Sequence, residues 1–353
     1  MPIEEWPAQD QAAWQAALEP AGFLEEGGLA AGWAEASRKM VTDGYSYWLT
    51  WLERTGQLDP ASTPASRATR ERVQAYAKAA ALRLAPMTVQ TRVNDLSRSL
   101  RAIAPGHDWK WIARAADRLR SQAVPVREKR PRMQDAQTVV ELGIQIMDRA
   151  RASDPHFAVQ RAILYRDGLM IALLMYRPLR MRSFAALTLE QHLVRRGDAW
   201  WMALSGADTK TGRPMEMPFP EPLVGYLELY LQEFRPALLI GRPKPGVVRP
   251  QTAALWIGKG GRMMGDCAIA FQIRHHTAAA FGKSINPHLF RDTCATSVAI
   301  EDPEHVRMVV ALLGHTTLAI SEKHYNHLQM VDASRRNNEA MSRVRQEAAE
   351  RVR

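Results

Sequence analysis

The sequence predicts a mainly α-helical protein with one small antiparallel β-sheet, built as a basic helical domain followed by a larger mixed domain. Three observations carry this. Apolar residues recur at helical spacings over most of the chain, the pattern of helices that each bury one face. Only residues 186–219 change to short β-prone pieces, around Arg196-Gly197-Asp198 and Thr211-Gly212, which read as hairpin turns. Residues 121–134 lack any hydrophobic period and hold two prolines and several basic residues, as a linker would.

In chain order, residues 1–30 mix Trp6, Trp14, Leu18 and Phe23 with acids, and read as one short helix and a break at Gly27-Gly28. Arm, partner-binding tail and lid all stay open for this segment. A helical domain is expected over 31–122. Tyr45, Trp48, Leu49 and Leu52 share a helix face there and are read as core. Asp59-Pro60-Ala61-Ser62-Thr63-Pro64 interrupts the pattern before a helix near 67–84. Pro86-Met87-Thr88 opens the next helix, whose buried stripe is Val89, Val93, Leu96, Leu100 and Ile103. Arg92, Arg98 and Arg101, interleaved with Thr91, Asn94 and Ser97, occupy its other side.

After a linker at 123–134, a second domain is expected over 135–330 and a C-terminal helix over 331–353. Helices are expected near 135–151, 156–177, 221–235, 265–280, 287–300, 303–313 and 333–350. The last places Ala340, Val344 and Ala348 on one side, suited to docking on a neighbouring subunit or on its own domain.

Composition narrows the classes. A chain of 353 residues, 46% apolar and 24% charged, can bury ordinary cores and reads as soluble and globular. Its net charge of +10 favours a polyanionic partner, because neutralising phosphates releases counterions. Residues 1–30 hold six acids and no lysine or arginine, whereas 31–130 hold eighteen Lys/Arg against nine Asp/Glu. The excess falls where a DNA-gripping domain would sit. Two cysteines, Cys267 and Cys294, support neither a disulfide framework nor a zinc knuckle, and both are read as core residues of a cytoplasmic protein. No signal peptide and no membrane span are expected.

The chemistry lies in the second domain. In order come an arginine in Pro178-Leu179-Arg180-Met181, a lysine in Thr209-Lys210-Thr211-Gly212-Arg213, His288-Leu289-Phe290-Arg291, Leu312-Leu313-Gly314-His315, and Tyr325 in His324-Tyr325-Asn326-His327. Two guanidiniums can clamp a phosphodiester, a tyrosine can attack it, and the other groups can move protons. A phosphodiester gains negative charge in its pentavalent transition state, so fixed donors at the non-bridging oxygens act mostly there. His288 and Arg291, three residues apart, share one helix face.

This order of motifs resembles the tyrosine recombinase (phage integrase) family over residues 135–330, with 31–122 similar to its helical core-binding domain. The resemblance implies a site-specific recombinase that cuts and rejoins double-stranded DNA through a 3′-phosphotyrosine, acting without cofactor or metal in a synaptic tetramer. It implies that Arg180 and Arg291 clamp the phosphate, with Arg177 and Arg182 as nearby competitors for the first place. Tyr325 would be the nucleophile, His288 the proton acceptor and His315 a partner of the phosphate. Lys210, with Arg213 as its competitor, would protonate the departing 5′ oxygen. Arg92, Arg98 and Arg101 would contact DNA. The family's glycine and bracing acid are replaced by Pro178 and Ser183.

Two other readings share these residues. One is a type IB topoisomerase-like relaxase; the other is a non-catalytic DNA-binding accessory protein on a degenerate recombinase fold, with Ser183 as a first sign of decay. The pairs His275-His276 and His324-x-x-His327 lack the company of a metal site, and no P-loop occurs.

Overall fold

The structure, a computed structural model, describes residues 1–23, 26–124, 133–240 and 252–301. The helices expected at 303–313 and 333–350, and most of the expected linker, lie outside the described residues. The chain falls into two compact units, Met1–Glu128 and Lys129–Arg353.

The first unit is helical: α1 (Ala8–Leu18), α2 (Glu35–Arg54), α3 (Pro64–Arg67), α4 (Arg70–Ala81), α5 (Pro86–Ile103) and α6 (Lys110–Gln122). The expected helix at 67–84 starts later, because Thr69 caps it by accepting a hydrogen bond from the Arg72 N–H, while Thr63 caps the separate turn before it. Tyr45, Trp48, Leu49 and Leu52 are buried as expected, as is the stripe Val89, Val93, Leu96, Leu100 and Ile103. Each such leucine contributes about 1.5–3 kcal/mol over leaving it in water.

The polar side of α5 is narrower than its sequence suggests. Gln90, Asp95, Ser97 and Ser99 are buried too, and Ser99 Oγ donates to the Val41 carbonyl on α2 at 3.0 Å. The N-terminal segment, whose role the sequence left open, is built into this core: Trp6, Trp14 and Ala17 are buried with α2 residues. Asp10 is fully buried and accepts from the Tyr45 hydroxyl at 2.5 Å and from Arg67 Nη1 at 2.6 Å.

The second unit opens with α7 (Ala136–Ala152) and α8 (Ala158–Tyr176), and α8 is buried without interruption from Tyr165 to Met175. The two helices meet through glycine. A Cβ on Gly143 would come within 2.7 Å of the Gly168 carbonyl, and one on Gly168 within 2.5 Å of the Gly143 carbonyl, so no side chain fits at the crossing.

A short α9 (Met181–Ala185) leads to a three-stranded antiparallel sheet of β1 (Leu193–Arg196), β2 (Ala199–Leu204) and β3 (Met215–Pro218), in that order. Leu193 pairs with Met202 and Met202 with Met217. Both predicted turns connect these strands, so the fold class is as the sequence predicts.

The helix expected at 221–235 is composite. α10 (Val224–Leu229) and α11 (Arg235–Ile240) flank a π-helical turn, Tyr230–Phe234. In a straight α-helix residues 230 and 235 would point about 140° apart. The wider turn lets Tyr230 Oη reach the Leu255 carbonyl while Arg235 reaches the carbonyls of Thr252 and Ala254.

Helices α12 (Asp266–Phe281) and α13 (Pro287–Glu301) follow. Thr277 Oγ1 accepts from the Ile285 N–H at 2.9 Å and fixes the corner between them. Cys294 is buried, but Cys267 is exposed in the first turn of α12, contrary to its reading as core: a residue there points away from the Ile269–Ile273 face that packs inward. No described helix is long and apolar enough to cross a membrane.

Candidate active site

The site begins where α8 ends. Arg177 caps that helix, Pro178 and Leu179 are buried, and Arg180 stands at the N-cap of α9, partly exposed. The three neighbouring arginines separate by environment. Arg177 is committed to structure: its Nη2 donates to the Pro218 carbonyl at 2.8 Å and its Nη1 to the Tyr176 carbonyl at 3.0 Å. Arg182 is exposed on α9.

Arg291 comes to Arg180 from α13. Its Nη1 donates to the Pro178 carbonyl, inside the turn that presents Arg180. Burial, and next the charge of Arg180, lower the Arg291 pKa to about 10. Holding two like charges together in a partly buried place costs free energy that an anion would return. Cys294, also on α13, has its thiol pushed up to about 11 by burial, with Arg291 and Arg177 opposing.

His288 lies in the first turn of α13, exposed, its backbone N–H donating to Asn286 Oδ1 at 3.1 Å. Three residues on, Arg291 shares its helix, as the spacing requires. His315 and Tyr325 lie outside the described residues.

Lys210 is exposed in the connection between β2 and β3. That connection is braced from within. Ser205 and Asp208 form a capping box, with Ser205 Oγ donating to Asp208 Oδ2 at 2.6 Å, and Thr209 Oγ1 donates to the Arg213 carbonyl at 2.8 Å. Gly206 sits so near Gly212 that a Cβ would meet the Gly212 carbonyl at 2.5 Å, and Gly212 itself has φ +69°. Arg213 is exposed and serves the turn through its backbone carbonyl.

The turn is also fastened to the arginine side of the site. Ser183 Oγ donates to the Asp208 carbonyl at 2.7 Å, so the residue standing where a bracing acid was expected ties α9 to the lysine-bearing turn. Buried His192 adds a second contact, its Nε2 3.3 Å from Asp208 Oδ2. The Ser205 hydroxyl first, and His192 further, hold the Asp208 carboxyl below the usual range. Sequence reasoning missed His192 and Asp208. The Ser205-x-x-Asp208 spacing was a legible capping signal; a lone histidine in Glu190-Gln191-His192-Leu193 carried none.

The arginines proposed for DNA contact have partners of their own. Arg92 lies 3.2 Å from the Tyr47 ring centroid, Arg98 lies 5.7 Å from that of Trp33, and both offset the burial that raises the pKa of Asp95. Arg101 is exposed beside a cavity of about 400 Å³ that Lys110 and His107 also line. Of the paired histidines, His276 Nε2 lies 3.1 Å from Asp167 Oδ2, and His275 stacks on Phe271.

Residues 145–331, just over half of the chain, match the family model described as the phage integrase family. The protein belongs to the phage integrase, or tyrosine recombinase, family. Among its relatives is tyrosine recombinase XerD of Pseudomonas aeruginosa, 32% identical over 164 residues, which are 46% of this chain and 50% of that one. Tyrosine recombinase XerC of Pseudomonas aeruginosa strain LESB58 is 26% identical over 200 residues, 57% of this chain and 56% of that one. The chain thus spans about half the length of the curated relatives it matches.

Two solved structures share the family's fold. XerH site-specific recombinase bound to difH substrate, in a pre-cleavage complex, aligns with a TM-score of 0.53 and 12% identity, over 85% of this chain and 79% of that one. A lambda integrase dimer bound to a COC′ core site aligns with a TM-score of 0.53 and 13% identity, over 84% and 90%.

Proposed function

We propose that this integrase-family protein is a site-specific DNA recombinase that cleaves and rejoins double-stranded DNA through a 3′-phosphotyrosine. The observation that carries the reading is the meeting of Arg180 and Arg291, two like charges whose mutual cost a scissile phosphate would relieve. In the cleavage step the Tyr325 oxygen forms a bond to phosphorus as its proton passes to His288. The bond from phosphorus to the 5′ oxygen breaks, and Lys210 supplies the proton that oxygen needs. Arg180, Arg291 and His315 hold the non-bridging oxygens. Attack by the 5′ hydroxyl of a partner duplex reverses the step and exchanges strands.

The helical unit would grip the duplex, with Arg101, Arg92 and Arg98 on α5 as its contacts, and basic residues 123–134 would pass over the edge of the duplex as linker. Residues 331–353 would dock on a neighbouring subunit in a synaptic tetramer. The work would be done on DNA in the cytoplasm, without metal or cofactor. The bond from Ser183 to the lysine-bearing turn supports a working site over a decayed one.

The test is a nicked suicide duplex carrying the candidate attachment region, incubated with wild type and Tyr325→Phe and run on a denaturing gel. A covalent protein–DNA band with wild type alone is expected. Salt-sensitive binding with no such band across all flanking sequence would instead favour an accessory DNA-binding protein, and cleavage without exchange between two duplexes would favour a relaxase.

A further inference from the structure

We propose that His192 is a positioning residue for Lys210, holding the turn from Ser205 to Arg213 so that the lysine meets the departing 5′ oxygen. The proposal rests on the reading of Lys210 as the proton donor. His192 is buried, precedes β1, and belongs to none of the motifs. Its position couples it to both ends of the problem. Its backbone carbonyl accepts from the Ala203 N–H at 2.8 Å, which ties it to β2 just before the turn, and its ring faces Asp208, two residues from Lys210.

The tautomer follows from the hydrogen bonds. The Thr188 N–H, which can only donate, points at Nδ1 from 3.1 Å, and Thr188 Oγ1 lies 2.8 Å from the same atom. In the neutral ring Nδ1 is therefore the acceptor and Nε2 carries the hydrogen. That Nε2–H is buried and finds no well-aligned acceptor among the described residues, while Asp208 Oδ2 stands 3.3 Å away.

A buried donor gains by meeting the nearest acceptor, so His192 draws the turn toward the geometry that sets Asp208 against it. Ser183, which holds the Asp208 carbonyl from α9, fixes the other side of the same residue. Asp208 is thus held by backbone and side chain at once, and the exposed lysine two positions on inherits its placement. A displacement of about 1 Å at a reacting group can cost roughly a hundredfold in rate.

The experiment compares two suicide duplexes, one ordinary and one with sulfur in place of the 5′-bridging oxygen at the scissile phosphate. A thiolate departs without a proton, so sulfur removes the need for Lys210. His192→Leu is expected to cleave the ordinary duplex roughly tenfold or more slower than wild type, and the sulfur duplex within about twofold of wild type. His192→Gln, whose amide N–H can still reach Asp208, should restore most of the rate. Adding His192→Leu to Lys210→Ala should slow the ordinary duplex no further. Should His192→Leu fail to fold, Asp208→Asn, altered on the exposed side of the same contact, should show the same preference for sulfur.

Loss on both duplexes, or no loss on the ordinary one, would overturn the role of His192. The reading of Lys210 is scored separately: if Lys210→Ala is not rescued by sulfur, that reading falls and this proposal falls with it. If Lys210→Ala is rescued and His192→Leu is not, the proposal alone falls.

Discussion

Arg67 in the helical unit and Arg291 in the second unit are both arginines drawn into the protein, and the charged neighbour that weighs most on each differs in sign. Arg67 is wholly buried, with Nη1 on both oxygens of Asp10 at 2.6 and 2.8 Å, Nε on Ser62 Oγ at 3.0 Å and on the Asp59 carbonyl at 3.2 Å, and Nη2 on the Ser62 carbonyl. Arg291 is anchored to the Pro178 carbonyl, and the charge that weighs most on it is that of Arg180, ahead of the opposing Cys294 and Asp292. A cation matched by a buried anion closes a structure. A cation opposed by its neighbour leaves a place for an anion from outside.

The largest expected effect breaks the closed arrangement. Arg67→Ala strands Asp10 in the core and should lower unfolding stability by about 3–5 kcal/mol, read by urea titration of the tryptophan fluorescence that Trp6, Trp14 and Trp48 supply. An unchanged midpoint would mean that the N-terminal segment is not held by this pair.

Next comes the opposite substitution. Arg180→Ala should leave the urea midpoint nearly where it was and slow covalent complex formation by about 10²–10³-fold, the usual loss on removing one fixed donor from a developing anion. A large fall in stability with little change in cleavage would reverse the roles assigned to the two sites.

The smallest effect sharpens the contrast without DNA. Inorganic phosphate at about tenfold its dissociation constant should stabilise wild type by about 1.4 kcal/mol, seen as a rise of a few degrees in melting temperature. The rise should vanish in Arg180→Ala and persist in an Arg101→Ala control, whose arginine lies in the other unit. Equal shifts in all three would mean that phosphate binds the general basic surface.

Features set by local rules were legible in the sequence. The two hairpin turns, the buried stripe of α5 and the shared helix of His288 and Arg291 follow from periodicity and turn chemistry within a few residues. The choice of Arg180 over Arg177 and Arg182 came from the family resemblance, and in the structure Arg177 is bound to the Pro218 carbonyl while Arg182 is exposed. Contacts between distant residues were not legible. Asp10 and Arg67 stand 57 positions apart, and Ser183 and Asp208 stand 25 apart. Nothing in the spacing of Ser97 and Ser99 reveals that α5 is covered on most sides, since small polar residues suit a surface and a crowded helix crossing equally well.

The π-helical turn at Tyr230–Phe234 has a consequence at the level of the gene. It holds one residue more than an α-helix would, and that residue keeps Tyr230 and Arg235 on the same stretch of backbone, 252–255. Loss of a single codon here would allow a regular helix to form with every hydrogen bond of its own intact. Tyr230 and the arginine would then stand four residues apart, about 40° around a regular helix, so both would still face residues 252–255. The turn is therefore a place where the loss of one codon is absorbed, whereas the same loss within a regular helix would turn everything beyond it by about 100°.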